Sequence, residues 1–463
     1  MKHPREYAGQ QVVVLGLARS GRACARLFHE LGARVIVNDR KDRSECPEAD
    51  ELESLGIQVI CGYHPDDLMH EGIHLVVKNP GIPYSAPPLR RAMELDLEIV
   101  TEVEVAWHMT DKPIIGITGS NGKTTTTTWI YEMLRAAGMK PVACGNIGRA
   151  MCEVIVEERE PYHWLVSELS SFQLKGTVHF RPHIACLLNI SETHLDYHGS
   201  MEDYIESKAK LFAHQTASDK AVLNYDDEVC RRLVGRIRAD VTFFSAASRL
   251  ERGVYVDGGD IVFRDGDGEL HRLLPVSELG IPGSYNVENA LAATAAAIGA
   301  GVPLDAIARV LASFRGVEHR LEYVAERGGV RYYNNSKATN ASAAIKALEA
   351  IDARIVLIAG GLDRGATYEE LVPVLRERVK ALVLLGETRE KLKRAGEQAG
   401  LDAIEVVEGE SPEAVIREAV RRASALARPG DVVMLNPACA SWDMFSSYEE
   451  RGRMFKESVH NLE

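Results

Sequence analysis

Residues 114–128 narrow the choice of fold more than any other part of the chain. Ile114-Ile115-Gly116-Ile117-Thr118 is a β-branched apolar run without a charge, the pattern of a buried strand. It passes directly into Gly119-Ser120-Asn121-Gly122-Lys123-Thr124-Thr125, and a helical pattern follows. A strand that ends in a glycine-rich turn and opens a helix belongs in a parallel α/β sheet. Its turn presents main-chain N–H groups at a helix N-terminus, where an anion is held. Gly119 and Gly122 permit tight or positive-φ backbone around Asn121. Lys123 offers a cation to the β/γ-phosphates of a nucleotide, and Thr124, followed by Thr125, a hydroxyl for Mg²⁺. Ile117 stands where the strict G-x-x-x-x-G-K-[ST] spacing has its first glycine, so the local form is T-G-S-N-G-K-T. A glycine-rich strand end with no ligand is the alternative, and it leaves the Lys-Thr pair unexplained.

The same rhythm recurs along the 463 residues, a length that suits about three domains of roughly 150 each. An apolar run at 11–15 ends in Gly16-Leu17-Ala18-Arg19-Ser20-Gly21, a helical pattern covers 23–31, and a second strand at 34–38 ends at Asp39. This is close to the dinucleotide pattern G-x-G-x-x-G with a later acidic residue. Ala18, however, replaces the glycine at which the backbone approaches a pyrophosphate. A third apolar run, 75–77, precedes the turn-rich Lys78-Asn79-Pro80-Gly81-Ile82-Pro83. A second block starts near Thr101. It contains the phosphate loop and strands at 164–167 and 184–190, and closes after helices at 286–298 and 304–314. A third starts near Val317, with strands at 354–359, 381–385 and 431–435. The expectation is an α/β protein of three domains: Rossmann-like over 1–101, P-loop-type with a mostly parallel sheet over 102–316, and Rossmann-like over 317–463. Ligands are expected at the carboxyl ends of the strands.

A formal charge of −13 argues against a nucleic-acid or anionic-membrane surface, and points to small-molecule partners. No stretch approaches the ~18 unbroken apolar residues of a membrane span, and residues 1–10 lack a signal core, so a cytoplasmic protein is expected. The eight cysteines include no C-x-x-C pair and read as reduced thiols.

Glu168 follows the strand at 164–167, and His194 follows the strand at 184–190. In a parallel sheet both reach the edge that carries Thr124, so a hydroxyl, a carboxylate and an imidazole can converge on a metal ion. Taking 201–214 as a helix puts Met201, Tyr204, Ile205, Leu211 and Phe212 on one face with Lys208 near its middle, while Lys210 points away. A lysine centred on an apolar stripe must snorkel, pair, lose its proton or be chemically altered.

The segments 118–124, Gly145-Asn146-Ile147-Gly148, Glu168-Leu169-Ser170-Ser171-Phe172-Gln173, 189–194, Asn286-Val287-Glu288-Asn289-Ala290 and Gly316-Val317-Glu318-His319-Arg320 together resemble the Mur ligase family of peptidoglycan synthesis. Ser336-Lys337-Ala338-Thr339-Asn340 and Pro437-Ala438-Cys439-Ala440-Ser441-Trp442-Asp443 resemble most the member that adds D-glutamate to UDP-N-acetylmuramoyl-L-alanine. The resemblance implies a monomeric, ADP-forming ligase that activates a carboxylate as an acyl phosphate. It implies phosphate binding by the loop and Lys123, and two Mg²⁺ sites built from Thr124, Glu168, His194 and a carbamylated Lys208. It also implies adenine contacts from Asn286 and Asn289, and phosphate or ribose contacts from Arg320 and Asn335. Contacts to the uridylylated substrate are implied for Asp39, Lys41 and Asn146, and contacts to D-glutamate for Lys337, Thr339, Ser441 and Tyr448. Asn335 stands where the family usually has Asp, and Asn436 where it usually has Ser. A charge at the nucleotide contact is expected to be missing.

Three other readings are open. A nicotinamide oxidoreductase would use Gly16, Gly21 and Asp39. A P-loop switch or motor would use Lys123 and Thr124 to drive a partner. A ligase of the same family could add L-alanine or a dibasic amino acid, or extend folate with glutamate.

Overall fold

The computed structural model describes residues 1–158, 161–281 and 283–462. They form two compact units: Met1–Leu279 with Ser284–Ser313, and Gly280–Gly283 with Phe314–Glu463. The first unit carries two sheets. β1 (Gln11–Leu15), β2 (Arg34–Asp39), β3 (Gln58–Cys61), β4 (Ile73–Lys78) and β5 (Ile99–Val100) form a parallel sheet in the order β3-β2-β1-β4-β5. Both faces of β1 are apolar because both are covered: Val12 and Val14 pack with Leu27 and Phe28 of the helix Arg19–Glu30. Val13 and Leu15 pack with Leu89 and Ala92 of the helix Pro87–Glu94. The chain turns to opposite sides after β1 and β4, which makes the crevice at their carboxyl ends the place for a ligand.

The second sheet contains β6 (Ile114–Thr118), β7 (Pro141–Gly145), β8 (Trp164–Glu168), β9 (Ile184–Leu187), β10 (Lys220–Asn224), β11 (Asp240–Ser245), β12 (Gly253–Asp257), β13 (Asp260–Arg264) and β14 (Leu270–Pro275). Its order is β14-β13-β12-β11-β10-β9-β6-β8-β7, parallel from β7 to β12 and antiparallel at β13 and β14. β6 therefore lies between β8 and β9, and the two strands predicted to carry Glu168 and His194 flank the phosphate loop. In the second unit, β15 (Glu322–Arg327), β16 (Val330–Asn334), β17 (Ile355–Gly360), β18 (Val379–Leu385), β19 (Ala403–Val406) and β20 (Val432–Leu435) order as β15-β16-β20-β17-β18-β19. Only β15 runs antiparallel to its neighbour. The α/β class with mostly parallel sheets is the one the strand-turn-helix rhythm predicts.

Several boundaries differ from the sequence pattern, three of them by more than two residues. The helix expected at 23–31 begins at Arg19, which brings Ser20 and Gly21 into its first turn. The strand expected to reach 190 stops at Leu187, because the Leu188 N–H goes to Thr118 O and Asn189 O accepts from Ser120 N–H of the loop. The helix expected over 201–214 is α-helical only for Met201–Ala209 and tightens into a 3₁₀ turn at Lys210–Phe212. All eight cysteines are free, and no described helix is long and apolar enough to cross a membrane.

Candidate active site

The loop after β6 is tight for identifiable reasons. Gly122 caps the helix Lys123–Ala136 at φ +83°, and a Cβ there would lie 2.0 Å from Asn289 Oδ1. Asn289 and Asn286 share the first turns of the helix Ser284–Gly299, are 4% and 3% exposed, and face each other at 3.5 Å. Asn189 clamps the loop from the other side. Its Oδ1 accepts from Asn121 N–H at 2.9 Å, and its Nδ2 donates to Asn121 O at 3.3 Å. Ser120 Oγ bonds to Ser191 O and to the Tyr204 hydroxyl.

Two ammonium groups converge on one oxygen in this loop. Lys123 Nζ donates to Gly119 O at 2.8 Å and to Ser120 O at 3.1 Å. Lys208 Nζ donates to the same Gly119 O at 2.9 Å and to Thr118 Oγ1 at 3.1 Å. Lys208 is 1% exposed, which excludes snorkelling, and it lies 4.8 Å from the centre of the Tyr204 ring. Burial, and then the neighbouring Lys123 charge, push the Lys208 amine well below the usual lysine range, with Glu168 opposing. Lys210 does not project freely: its ammonium donates to Lys175 O and Thr177 O.

Glu168 ends β8 opposite Ile117 of β6 and is 3% exposed. Asn146 holds it twice, through Asn146 N–H to Glu168 O and Nδ2 to Oε1, both 2.8 Å. Oε2 is buried and has no hydrogen-bond partner among the described residues. A buried carboxylate oxygen in that condition is costly unless a cation completes it, so the site fits a hard divalent ion such as Mg²⁺. His194 has φ +57° ahead of the short helix Leu195–His198, and its ring packs 5.0 Å from Phe172 and 6.5 Å from Tyr204.

The crevice at β1 and β4 is built around Asp39. Its carboxylate accepts from Leu17 N–H at 2.7 Å and from Lys41 N–H at 2.9 Å, which fixes the 16–21 turn against the exposed 40–45 segment. Gly21 packs so closely that a Cβ would meet Gly16 O at 1.8 Å. Ala18 fits because the turn needs no glycine there: its φ of −56° is ordinary.

In the second unit Lys337, Thr339, Ser441 and Tyr448 lie on two neighbouring segments. Ser336 Oγ donates to Tyr448 O at 2.8 Å, and Lys337 Nζ sits 5.8 Å from the centre of the Tyr448 ring. The fully buried Arg451 joins the segments, donating to Ser336 Oγ, Ser336 O and Cys439 O at 3.0, 2.9 and 3.1 Å. Arg320 is exposed, and its neighbour His319 is buried with its O accepting from Lys337 N–H.

Family models match residues 10–101 (Mur ligase MurD-like, N-terminal domain), 117–297 (Mur ligase middle domain) and 319–439 (Mur ligase, glutamate ligase domain). The chain belongs to the Mur ligase family. A curated relative of Geobacillus kaustophilus (strain HTA426), UDP-N-acetylmuramoylalanine--D-glutamate ligase, is 50% identical over 463 residues, covering 100% of each chain. The enzyme of the same name from Bacillus subtilis (strain 168) is 46% identical over 98% of each. Among solved structures, MurF from Acinetobacter baumannii aligns with TM-score 0.58 and 18% identity over 92% of this chain and 91% of that one. UDP-N-acetylmuramate-alanine ligase MurC from Thermotoga maritima aligns with TM-score 0.56 and 18% identity over 97% and 99%. At that identity the structures speak for the fold alone.

Within this Mur ligase two of the expected site residues have partners inside the protein. Asn146, expected at the substrate, has its amide on Glu168. Asn335 has its side chain engaged: Oδ1 accepts from Leu321 N–H at 3.0 Å, and Nδ2 donates to Asn436 Oδ1 at 2.8 Å. The two asparagines expected to depart from the family pattern are thus partners of each other. Asn189 and Tyr204 were not singled out by sequence reasoning as site residues. Their signal was available in the 189–194 segment and in the aromatic position four residues before Lys208.

Proposed function

We propose that this Mur ligase joins D-glutamate to UDP-N-acetylmuramoyl-L-alanine in peptidoglycan precursor synthesis, with ATP converted to ADP and phosphate. The observation that carries this is full-length identity of 46–50% to relatives that bear that name. The phosphate loop beside a half-satisfied buried glutamate supports it. We assign residues 1–101 to the uridylylated substrate, 102–316 to ATP and 317–463 to the amino acid.

A carboxylate is a poor electrophile until one of its oxygens becomes part of a leaving group. Transfer of the γ-phosphoryl group to the substrate carboxylate supplies that group. The D-glutamate amine then attacks the acyl carbon, a C–N bond forms, the C–O bond to phosphate breaks, and the amine proton is lost. The protein's part is positioning and charge stabilisation. Lys123 turns from its loop carbonyls onto the transferring phosphoryl oxygens. Gly119, Asn121, Gly122 and Thr125 shape the cradle, and Asn286 and Asn289 flank the adenine side. Arg320 is assigned to the phosphates, and Asn335 supports its own segment through Leu321 and Asn436. Thr124, Glu168 and His194 would hold Mg²⁺ at two sites, and the ion would neutralise phosphate charge when bound.

We assign carbamylation to Lys208, whose amine is held well below the usual lysine range by burial and then by the Lys123 charge. Once the ammonium has lost a proton the amine attacks CO₂, an N–C bond forms and a second proton leaves, which would put an anion beside Lys123. Asp39 and Lys41 are assigned to the UDP end of the substrate, and Asn146 to a contact near it, beside its hold on Glu168. Lys337, Thr339, Ser441 and Tyr448 serve D-glutamate, the cation and hydroxyls suiting a dicarboxylate. The test is ADP release with UDP-N-acetylmuramoyl-L-alanine against a panel of amino acids. D-glutamate is expected to support turnover well above L-alanine, L-lysine or L-glutamate. A better rate with any of these would defeat the substrate assignment.

A further inference from the structure

Lys78 ends β4, at the crevice proposed for the nucleotide-sugar substrate, and is 1% exposed. Its ammonium donates to Pro80 O and to the Tyr197 hydroxyl, both at 3.1 Å, and lies 5.0 Å from the centre of the Tyr84 ring and 5.7 Å from that of Tyr197. No carboxylate pairs with it among the described residues. The charged group acting on it is another cation, Lys175, which faces the same two rings at 5.5 and 5.9 Å and is itself neutralised by Asp203 at 2.6 Å. Burial first, and Lys175 second, push the Lys78 amine down to about 7. An apolar side chain of the same length would fill this space without desolvating a charge, so stability does not explain a lysine here.

What the amine does is join two pieces of the site. On one side is the turn at 79–84. Asn79 N–H donates to Leu15 O, and Asn79 Nδ2 reaches Ser20 Oγ of the 16–21 turn. On the other side is Tyr197, whose hydroxyl accepts from Lys78 and donates toward Pro80 O at 3.1 Å and Ile82 O at 3.4 Å. The Tyr197 ring packs 4.4 Å from Phe172, and Phe172 packs 5.0 Å from His194. We propose that Lys78 is a positioning residue for the nucleotide-sugar substrate, its ammonium fastening the 79–84 turn to the short helix that follows His194. This rests on the reading of the crevice as the uridylylated-substrate site.

The experiment uses the full chain, with UDP-N-acetylmuramoyl-L-alanine as the calorimetric probe in the absence of ATP, followed by steady-state kinetics. Lys78→Met is expected to weaken the probe and raise its KM by about tenfold, while KM for ATP stays within about twofold. Its melting temperature at pH 7 should be unchanged or higher, an outcome that loss of a merely structural contact does not give. Tyr197→Phe removes one hydroxyl and should give the same KM pattern. The double variant should be little worse than either single one, because both break one linkage. No binding by the wild type would defeat the reading of the crevice. Wild-type binding matched by Lys78→Met would overturn the positioning role, as would a lowered melting temperature with all three KM values rising together.

Discussion

Replacing Gly122 by alanine probes the phosphate loop with a single methyl group. Two costs add. The residue sits at φ +83°, where a Cβ is strained by about 1–2 kcal/mol. The new carbon would also stand 2.0 Å from Asn289 Oδ1 and 2.9 Å from its Cγ, far inside contact distance. Asn289 is 4% exposed and held by Thr126 Oγ1 and Asn286 Oδ1, both at 3.5 Å, so its retreat breaks two long hydrogen bonds worth about 1 kcal/mol each at most. The sum is about 1–4 kcal/mol, or roughly 5- to 1,000-fold if all of it falls on the ATP-bound state. Calorimetric titration with a non-hydrolysable ATP analogue reads it directly, and KM for D-glutamate should hardly move. Gly122→Asn separates the two costs, because asparagine tolerates the left-handed region but carries the same Cβ; it should be nearly as damaging as alanine. Gly138→Ala is the control, at φ +74° with nothing within 4 Å of its Cβ, and should lower stability by about 1 kcal/mol without touching nucleotide binding. Affinity in Gly122→Ala within threefold of wild type, or full rescue by asparagine, would refute the steric argument.

Lys123→Ala should leave the fold intact and reduce kcat/KM for ATP by about 10²–10³, since it removes a positioned cation at a transferring phosphoryl group; near-normal turnover in a folded variant would remove Lys123 from that role. Lys208→Ala should be almost inactive and partly recovered by acetate, while the wild type shows a carbamate signal with ¹³C-bicarbonate by NMR; absence of both signal and rescue would leave a simple buried amine. Lys337→Ala and Ser441→Ala should each raise KM for D-glutamate about tenfold or more with KM for ATP little changed, as loss of a bond to a charged group predicts. Glu104 supplies a pH test away from the site. Burial pushes its carboxyl up, but the His108 ring and the Val178 and His179 N–H groups outweigh it and hold the group at about 2 against an ordinary 4.5. A lowered carboxyl stabilises the fold above about pH 4.5 and stops doing so as pH falls toward 2, a contribution of about 3 kcal/mol. The melting gap between wild type and Glu104→Gln should therefore be full at pH 6 and shrink steadily below pH 4.5; a constant gap would count against the linkage.

Elements whose signal is local were legible in the sequence. The 114–128 segment specifies strand, turn and helix through adjacent residues, and Glu168 could be placed at its strand's end, whereas β9 stops at Leu187, short of His194. The helical period put Lys208 on a buried face, but nothing local says that its ammonium meets the same carbonyl as Lys123, 85 positions earlier in the chain. The Lys78 to Tyr197 contact spans 119 positions, and the Asn335 to Asn436 contact spans 101. Such pairs depend on strand order, which periodicity does not encode. Helix and strand ends were misplaced where tertiary hydrogen bonds overrode pattern, as at Leu188 and Asn189, which bond to the phosphate loop instead of extending β9.

The Asn335–Asn436 pair constrains the route by which such a sequence can change. Asn436 cannot simply turn its amide, because its Nδ2 donates to Ala344 O at 3.0 Å. Changing Asn335 alone to aspartate would set a carboxylate oxygen against the carbonyl oxygen of Asn436, and changing Asn436 alone to serine would take the acceptor from the buried Asn335 amide. Each single step passes through a destabilised protein, by about 1–3 kcal/mol for the orphaned group. The two positions are therefore epistatic. A change at either position alone carries a cost that depends on what stands at the other, 101 positions away.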